Sequence, residues 1–160
     1  MHSPVAATEM HGMTLRTIFL SALVVALLAP AASAATWSTG TYRGKLFAAP
    51  STAKRGTVTF DVTRRRARIG RLSLVLKCTD GERRTFSVKG GGSGRLRPGP
   101  AGAGVSITAR RKIDGWDVDW DFVGGIKGST FRGNASASAT HYGDDFNETC
   151  TLIGDFRARR

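Results

Sequence analysis

From residue 42 onward, apolar and polar side chains alternate in one segment after another. Val58, Phe60 and Val62 alternate with Thr57, Thr59 and Asp61; Leu72, Leu74, Leu76 and Cys78 alternate with Ser73, Val75 and Lys77. Val105, Ile107 and Ala109 alternate with Ser106, Thr108 and Arg110, and Phe131, Gly133, Ala135, Ala137 and Ala139 do the same against polar partners. Cys150, Leu152, Gly154 and Phe156 complete the series. A period of two marks strands with one face buried. No segment beyond residue 35 holds apolar residues at i, i+3, i+4 and i+7 for three turns, so no helix is expected there. The pattern predicts about eight strands, near 42–48, 56–63, 67–78, 83–89, 104–112, 116–123, 128–140 and 147–157. Short strands separated by turn residues, without helices, point to an all-β fold: a single antiparallel β-sandwich or a closed β-barrel.

Two stretches lie outside the pattern. In residues 13–35, "MTLRTIFLSALVVALLAPAASAA", Arg16 precedes an apolar run and Ala32-Ser33-Ala34 offers a small-residue cleavage site. That layout is a secretory signal peptide, so residues 1–34 are expected to be removed, with 1–12 an upstream extension if Met13 is the true start. The run is too short to span a membrane comfortably. Residues 35–160 then form one exported domain of ordinary size. The second stretch, "KGGGSGRLRPGPAGAG" at 89–104, is rich in glycine and proline and reads as a flexible loop. An interdomain linker is the alternative, but each flanking half has only about 55 residues and would bury little alone, and a bridge between the two cysteines would join them, which favours one domain.

Cys78 and Cys150 are the only cysteines. In an exported chain two cysteines read as one disulfide, which here would close a loop of about 72 residues and stabilise by roughly 4 kcal/mol. Two free thiols, or half of a metal site, are the alternatives. Both cysteines fall on the apolar side of their strands, so the bridge would lie inside the domain.

Charge adds the largest anomaly. The formal net charge is +12, and residues 36–112 hold 18 Lys+Arg against 3 Asp+Glu, whereas residues 113–160 hold 5 against 8. The candidates for binding polyanions are Arg64, Arg65, Arg66, Arg68, Arg83, Arg84, Arg110, Arg111 and Lys112, gathered near expected turns and strand ends. Such clusters attract polyanions with salt-dependent affinity. Outside a cell these are acidic envelope polymers, anionic lipid surfaces or extracellular DNA. Aromatic residues interleaved with the arginines, as in single-strand binders, are missing.

Against this basic background stands "IDGWDVDWDF", residues 113–122, with aspartates at 117, 119 and 121. Asp114-Gly115 predicts a two-residue type I′ hairpin turn. Counting outward places Lys112 opposite Asp117, Arg110 opposite Asp119 and Thr108 opposite Asp121, with Trp116, Val118, Trp120 and Phe122 turned inward. Arg111 then faces Val118 on the apolar side, where its long stem lets the charge reach water. As an EF-hand the stripe fails, with Phe122 where the glycine is needed and Gly128 at the bidentate glutamate position. As a glycosidase pair it lacks the apolar setting that raises a carboxyl pKa.

Enzymatic signals are thin. His141, the only histidine after residue 35, lies in "HYGDDFNE" beside Asp144, Asp145 and Glu148. One histidine with irregularly spaced carboxylates is a weak metal site, and no G-x-S-x-G nucleophile elbow occurs. No cofactor is implied, and the reading leans away from an enzyme. The weaker alternatives are a secreted enzyme or metal-binding protein using that loop, and a protein-interaction or inhibitor module presenting 89–104.

With "GTYRG" (40–44), "GTVTFDV" (56–62), Cys78, "DGWDVDW" (114–120), "GSTFRG" (128–133) and "CTLIGDFRAR" (150–159) in place, the chain resembles a type of small secreted all-β protein of high-GC Gram-positive bacteria. The resemblance implies export, a β architecture and a cysteine pair, and carries no catalytic residue across. The "TRRRAR" turn at 63–68 and the aspartate stripe depart from that type.

Overall fold

A computed structural model describes residues 36–144 and 146–160. The expected signal peptide, its upstream extension and Asp145 lie outside the described residues. Within them the protein is all-β, with ten strands: β1 Gly40–Ala48, β2 Lys54–Val62, β3 Arg66–Cys78, β4 Arg83–Lys89, β5 Ser93–Arg95, β6 Arg97–Gly99, β7 Gly102–Ile113, β8 Trp116–Lys127, β9 Thr130–Tyr142 and β10 Asn147–Arg159. No described helix is long and apolar enough to cross a membrane.

All named strands pair antiparallel in one sheet, in the order β4-β3-β2-β1-β10-β9-β8-β7-β6. Where the β1–β2 hairpin ends, β3 and β10 meet directly through Cys78↔Cys150 and Lys77↔Thr151, closing β1, β2, β3 and β10 into a four-stranded barrel. The outer strands continue from it. Their edges also come together, because β5 pairs with the start of β3 while lying against β7. Gly94 sits so close that a Cβ there would stand 2.1 Å from the Ser106 carbonyl oxygen. The Trp120 indole N–H donates to the Gly91 carbonyl across the same seam at 2.8 Å.

The alternation decides what is inside. Phe60 packs against Phe122, Phe131 and Phe156 with ring centroids 4.5–5.6 Å apart. Phe156 lies over the cross-strand pair Gly124 and Gly133, where a Cβ would come within 2.8 and 2.9 Å of its ring. Glycine at these two positions makes room for the aromatic. Tyr42 is fully buried, and its hydroxyl lies 2.6 Å from the Ser38 carbonyl and 2.9 Å from that of Gly128. The cysteines form the disulfide Cys78–Cys150, and both are buried.

The structure refines the strand count and the reading of 89–104. Ten strands replace about eight, and the additional pair, β5 and β6, falls within 89–104, so that segment is not simply a loop. Leu96 supplies the reason: it is buried, and its backbone N–H bonds the Arg65 carbonyl at 2.9 Å, drawing the glycine-rich segment onto the barrel.

Candidate anion-binding site

The arginine tip begins with local hydrogen bonding. The backbone N–H of Thr63 donates to the Arg66 carbonyl at 2.8 Å, and the Thr63 hydroxyl oxygen accepts from the N–H groups of Arg65 and Arg66 at 3.3 and 3.1 Å. This threonine turn, a common use of a side-chain oxygen to satisfy local donors, holds Arg64 and Arg65 exposed at the β2–β3 connection. On β3, Arg66 and Arg68 are two residues apart and share a face. Arg66 stands directly opposite Arg95, and Arg68 opposite Ser93.

Arg111 reaches the same place from β7. Its register partner is Val118, as the hairpin count predicts, yet it is exposed, and its guanidinium Nη1 donates to the Lys89 carbonyl at 3.5 Å. Together Arg66, Arg68 and Arg111 line an open cavity of about 660 Å³ with Thr63, Ser93 and the backbone of Gly90 and Gly92. Its one carboxylate is Asp61, which accepts a hydrogen bond from Thr41 at 2.8 Å. No carboxylate among the described residues lies within ion-pair distance of the three arginines.

The other basic candidates lie elsewhere. Arg83 and Arg84 are on β4 opposite Lys77 and Leu76, about 36 Å along β3 from Arg66 at 3.3 Å per residue. Arg84 is already engaged: it bonds Glu148 at 2.9 Å, lies 3.3 Å from Asp80, and covers the Trp116 ring. The hydrogen bond that it donates to Glu148, more than any other contact, raises its pKa above the ordinary guanidinium value. Arg110 pairs with Asp119, which raises its pKa in the same way. Lys112 stands opposite Asp117. The nine predicted residues are therefore not one cluster: Arg66, Arg68 and Arg111 share a cavity and Arg64 and Arg65 are exposed in the adjoining turn, whereas Arg83, Arg84, Arg110 and Lys112 do not join them.

The aspartate stripe is structural in register. The turn has Asp114 at φ 48° and Gly115 at φ 86°, and Asp121 accepts from the Thr108 hydroxyl at 2.8 Å. Asp119 and Asp121 line a second hollow of about 340 Å³ outside β7–β10, with Ser136, Ser138 and Ile153. Its acids are already partnered. His141 packs against Trp116 at 5.2 Å and stands opposite Glu148, whose carboxylate turns to Arg84; Asp144 is exposed. The one group of potential metal ligands among the described residues, Cys78, Glu148 and Cys150, has its two sulfurs joined in the disulfide.

Basic residues that the sequence reading passed over also meet. Arg43 and Lys45 on β1 stand opposite Arg159 and Arg157 on β10, and Arg157 stands opposite Arg132 on β9. Nothing in the linear sequence marks this patch, because its members are spread over the chain and three of them come from its acidic half. No protein-family model, no curated protein and no solved structure matches the chain.

Proposed function

We propose that this protein is an exported, non-catalytic β-barrel domain that binds anionic polymers of the cell envelope through Arg66, Arg68 and Arg111, with Arg64 and Arg65 at the rim. The observation that carries this reading is the cavity of three guanidinium groups with no carboxylate in ion-pair contact among the described residues, two of them on one strand and the third brought across from β7. Directly opposed like charges such as Arg66 and Arg95 destabilise a sheet, so an anion between them relieves a strain that folding alone leaves in place. Export is supported by the leader-like layout of residues 1–34 and agrees with a disulfide. The 89–104 segment contributes a wall of the cavity through Gly90, Gly92 and Ser93.

The test is retention on a phosphocellulose column across a salt gradient. Wild type should elute at clearly higher salt than Arg66→Ser/Arg68→Ser/Arg111→Ser, with affinity falling steeply as salt rises. Equal elution of the two proteins would sink the proposal. Because all three side chains are exposed or rim the cavity, the variant should fold normally, which thermal unfolding checks.

A further inference from the structure

The sheet register joins scattered cations into a continuous band. Reading across neighbouring strands, Lys89 stands opposite Arg71, Arg71 opposite Thr59, Thr59 opposite Arg43, Arg43 opposite Arg159, Arg159 opposite Thr130 and Thr130 opposite Lys127. That row crosses seven strands, from β4 to β8, without a carboxylate. At about 4.8 Å per strand it is about 29 Å long. One pleat away runs a parallel row in which Lys45, Arg157 and Arg132 are successive partners, again without a carboxylate. The basic side chains of both rows are exposed, and none has an ion-pair partner among the described residues. Carboxylates border the band at Asp61 and Asp155, on either side of β1.

We infer that this band is a binding track for a single flexible, linear polyanion that lies across the strands and wraps the barrel. The inference rests on the polyanion reading above and extends it from a cavity to a path. Shape selects the occupant. A planar membrane meets a curved sheet along one side only, whereas the band continues around a sheet whose edges meet at β5 and β7. A flexible chain can follow that curve. Four directly opposed like-charged pairs in the band, Arg71 with Lys89, Arg43 with Arg159, Lys45 with Arg157 and Arg157 with Arg132, gain most from an anion laid over all of them. The Arg157 guanidinium carbon also lies over the Phe47 ring, 5.6 Å from its centroid, a cation–π contact on the surface of the band. The Arg66, Arg68 and Arg111 cavity lies beside the β3 end of the band, one pleat beyond Arg71.

The experiment compares binding of inorganic triphosphate, of linear polyphosphate longer than the band, and of phosphatidylglycerol vesicles, at several salt concentrations. Long polyphosphate should bind at least tenfold tighter than triphosphate at equal phosphate concentration, and vesicles should bind more weakly than the long chain. Arg43→Ser/Arg157→Ser/Arg159→Ser should remove the length preference and lower the salt slope by about 2, at roughly 0.7 per lost contact for a single-stranded polyanion. Triphosphate binding at the cavity should persist in that variant. Affinity that does not grow with chain length, or an unchanged salt slope in the variant, overturns the track while leaving the cavity reading intact. Vesicles binding as tightly as the long chain would make the occupant a lipid surface instead. If Arg66→Ser/Arg68→Ser/Arg111→Ser alone keeps full triphosphate affinity, the cavity reading fails and the track stands.

Discussion

Tyr42 joins the core to the segment that precedes β1. Its ring meets Phe131 edge-on at 6.4 Å, and its hydroxyl reaches the carbonyls of Ser38 and Gly128, tying the entry segment to the β8–β9 turn. Burial raises its pKa above the ordinary 10.0, a shift that Arg160 partly opposes. The folded state thus holds the phenolic proton more tightly than the unfolded chain does. The resulting stability is complete below pH 10 and is lost as pH rises from there through the folded value. Tyr42→Phe should cost about 1–2 kcal/mol near neutrality, because a buried hydrogen bond goes and carbonyls lose their donor. Urea unfolding at pH 8 and pH 11 should also show a smaller alkaline loss in the variant. An equal loss in both proteins would place the alkaline sensitivity elsewhere. Residue-level reading of the sequence does best where one residue constrains its neighbours: Asp114-Gly115 sets the register that puts Arg111 opposite Val118 and Asp119 opposite Arg110. It cannot see that Arg84 bonds Glu148, because that partner is 64 positions away.

At the scale of elements, the long hairpins were legible because their apolar alternation runs for five or more residues. β5 and β6 were not, because each is three residues long and the one large apolar side chain between them is Leu96. Glycine there looked like flexibility. In the fold Gly91 and Gly94 are buried: a Cβ at Gly91 would stand 3.1 Å from Ile69 on β3 and 3.2 Å from Trp120 on β8, and one at Gly94 would run into the β7 backbone at Ser106. The disulfide belongs to this scale too, since it joins directly opposed residues of β3 and β10 at the point where the small barrel closes. Cys78→Ala/Cys150→Ala should therefore lower stability by about 3–4 kcal/mol, most of it through the larger freedom of an unfolded chain no longer closed across 72 positions. Urea unfolding with and without reductant measures it: reduced wild type should approach the double variant. A loss below about 1 kcal/mol would mean that strand pairing, rather than the covalent link, carries closure.

Over the whole molecule the charge pattern departs furthest from what the sequence alone suggests. Counted along the chain, positive charge belongs to the first half. Counted across the sheet, Arg132, Arg157 and Arg159 complete a band begun by Arg43, Lys45 and Arg71, because register alone makes these residues neighbours. Among the described residues six directly opposed pairs carry like charge, adding Arg66 with Arg95 and Lys77 with Arg83 to the four in the band. Three carry opposite charge: Asp61 with Arg68, Arg110 with Asp119, and Lys112 with Asp117. Repulsion in such pairs is worth a few tenths of a kcal/mol each and is screened within about 10 Å at 0.1 M salt. Raising salt from about 0.02 M to about 0.3 M should thus increase unfolding free energy by about 1–2 kcal/mol, the reverse of a protein whose surface is held by ion pairs. Long polyphosphate at low salt should do more, about 2.7 kcal/mol at a hundredfold excess over its dissociation constant, because the proposed track exists only in the folded register. Arg43→Ser/Arg157→Ser/Arg159→Ser should flatten both responses. Stability that falls with added salt in the wild type would mean that the few opposite-charge contacts outweigh the repulsion, and the physical basis for an anion track would be gone.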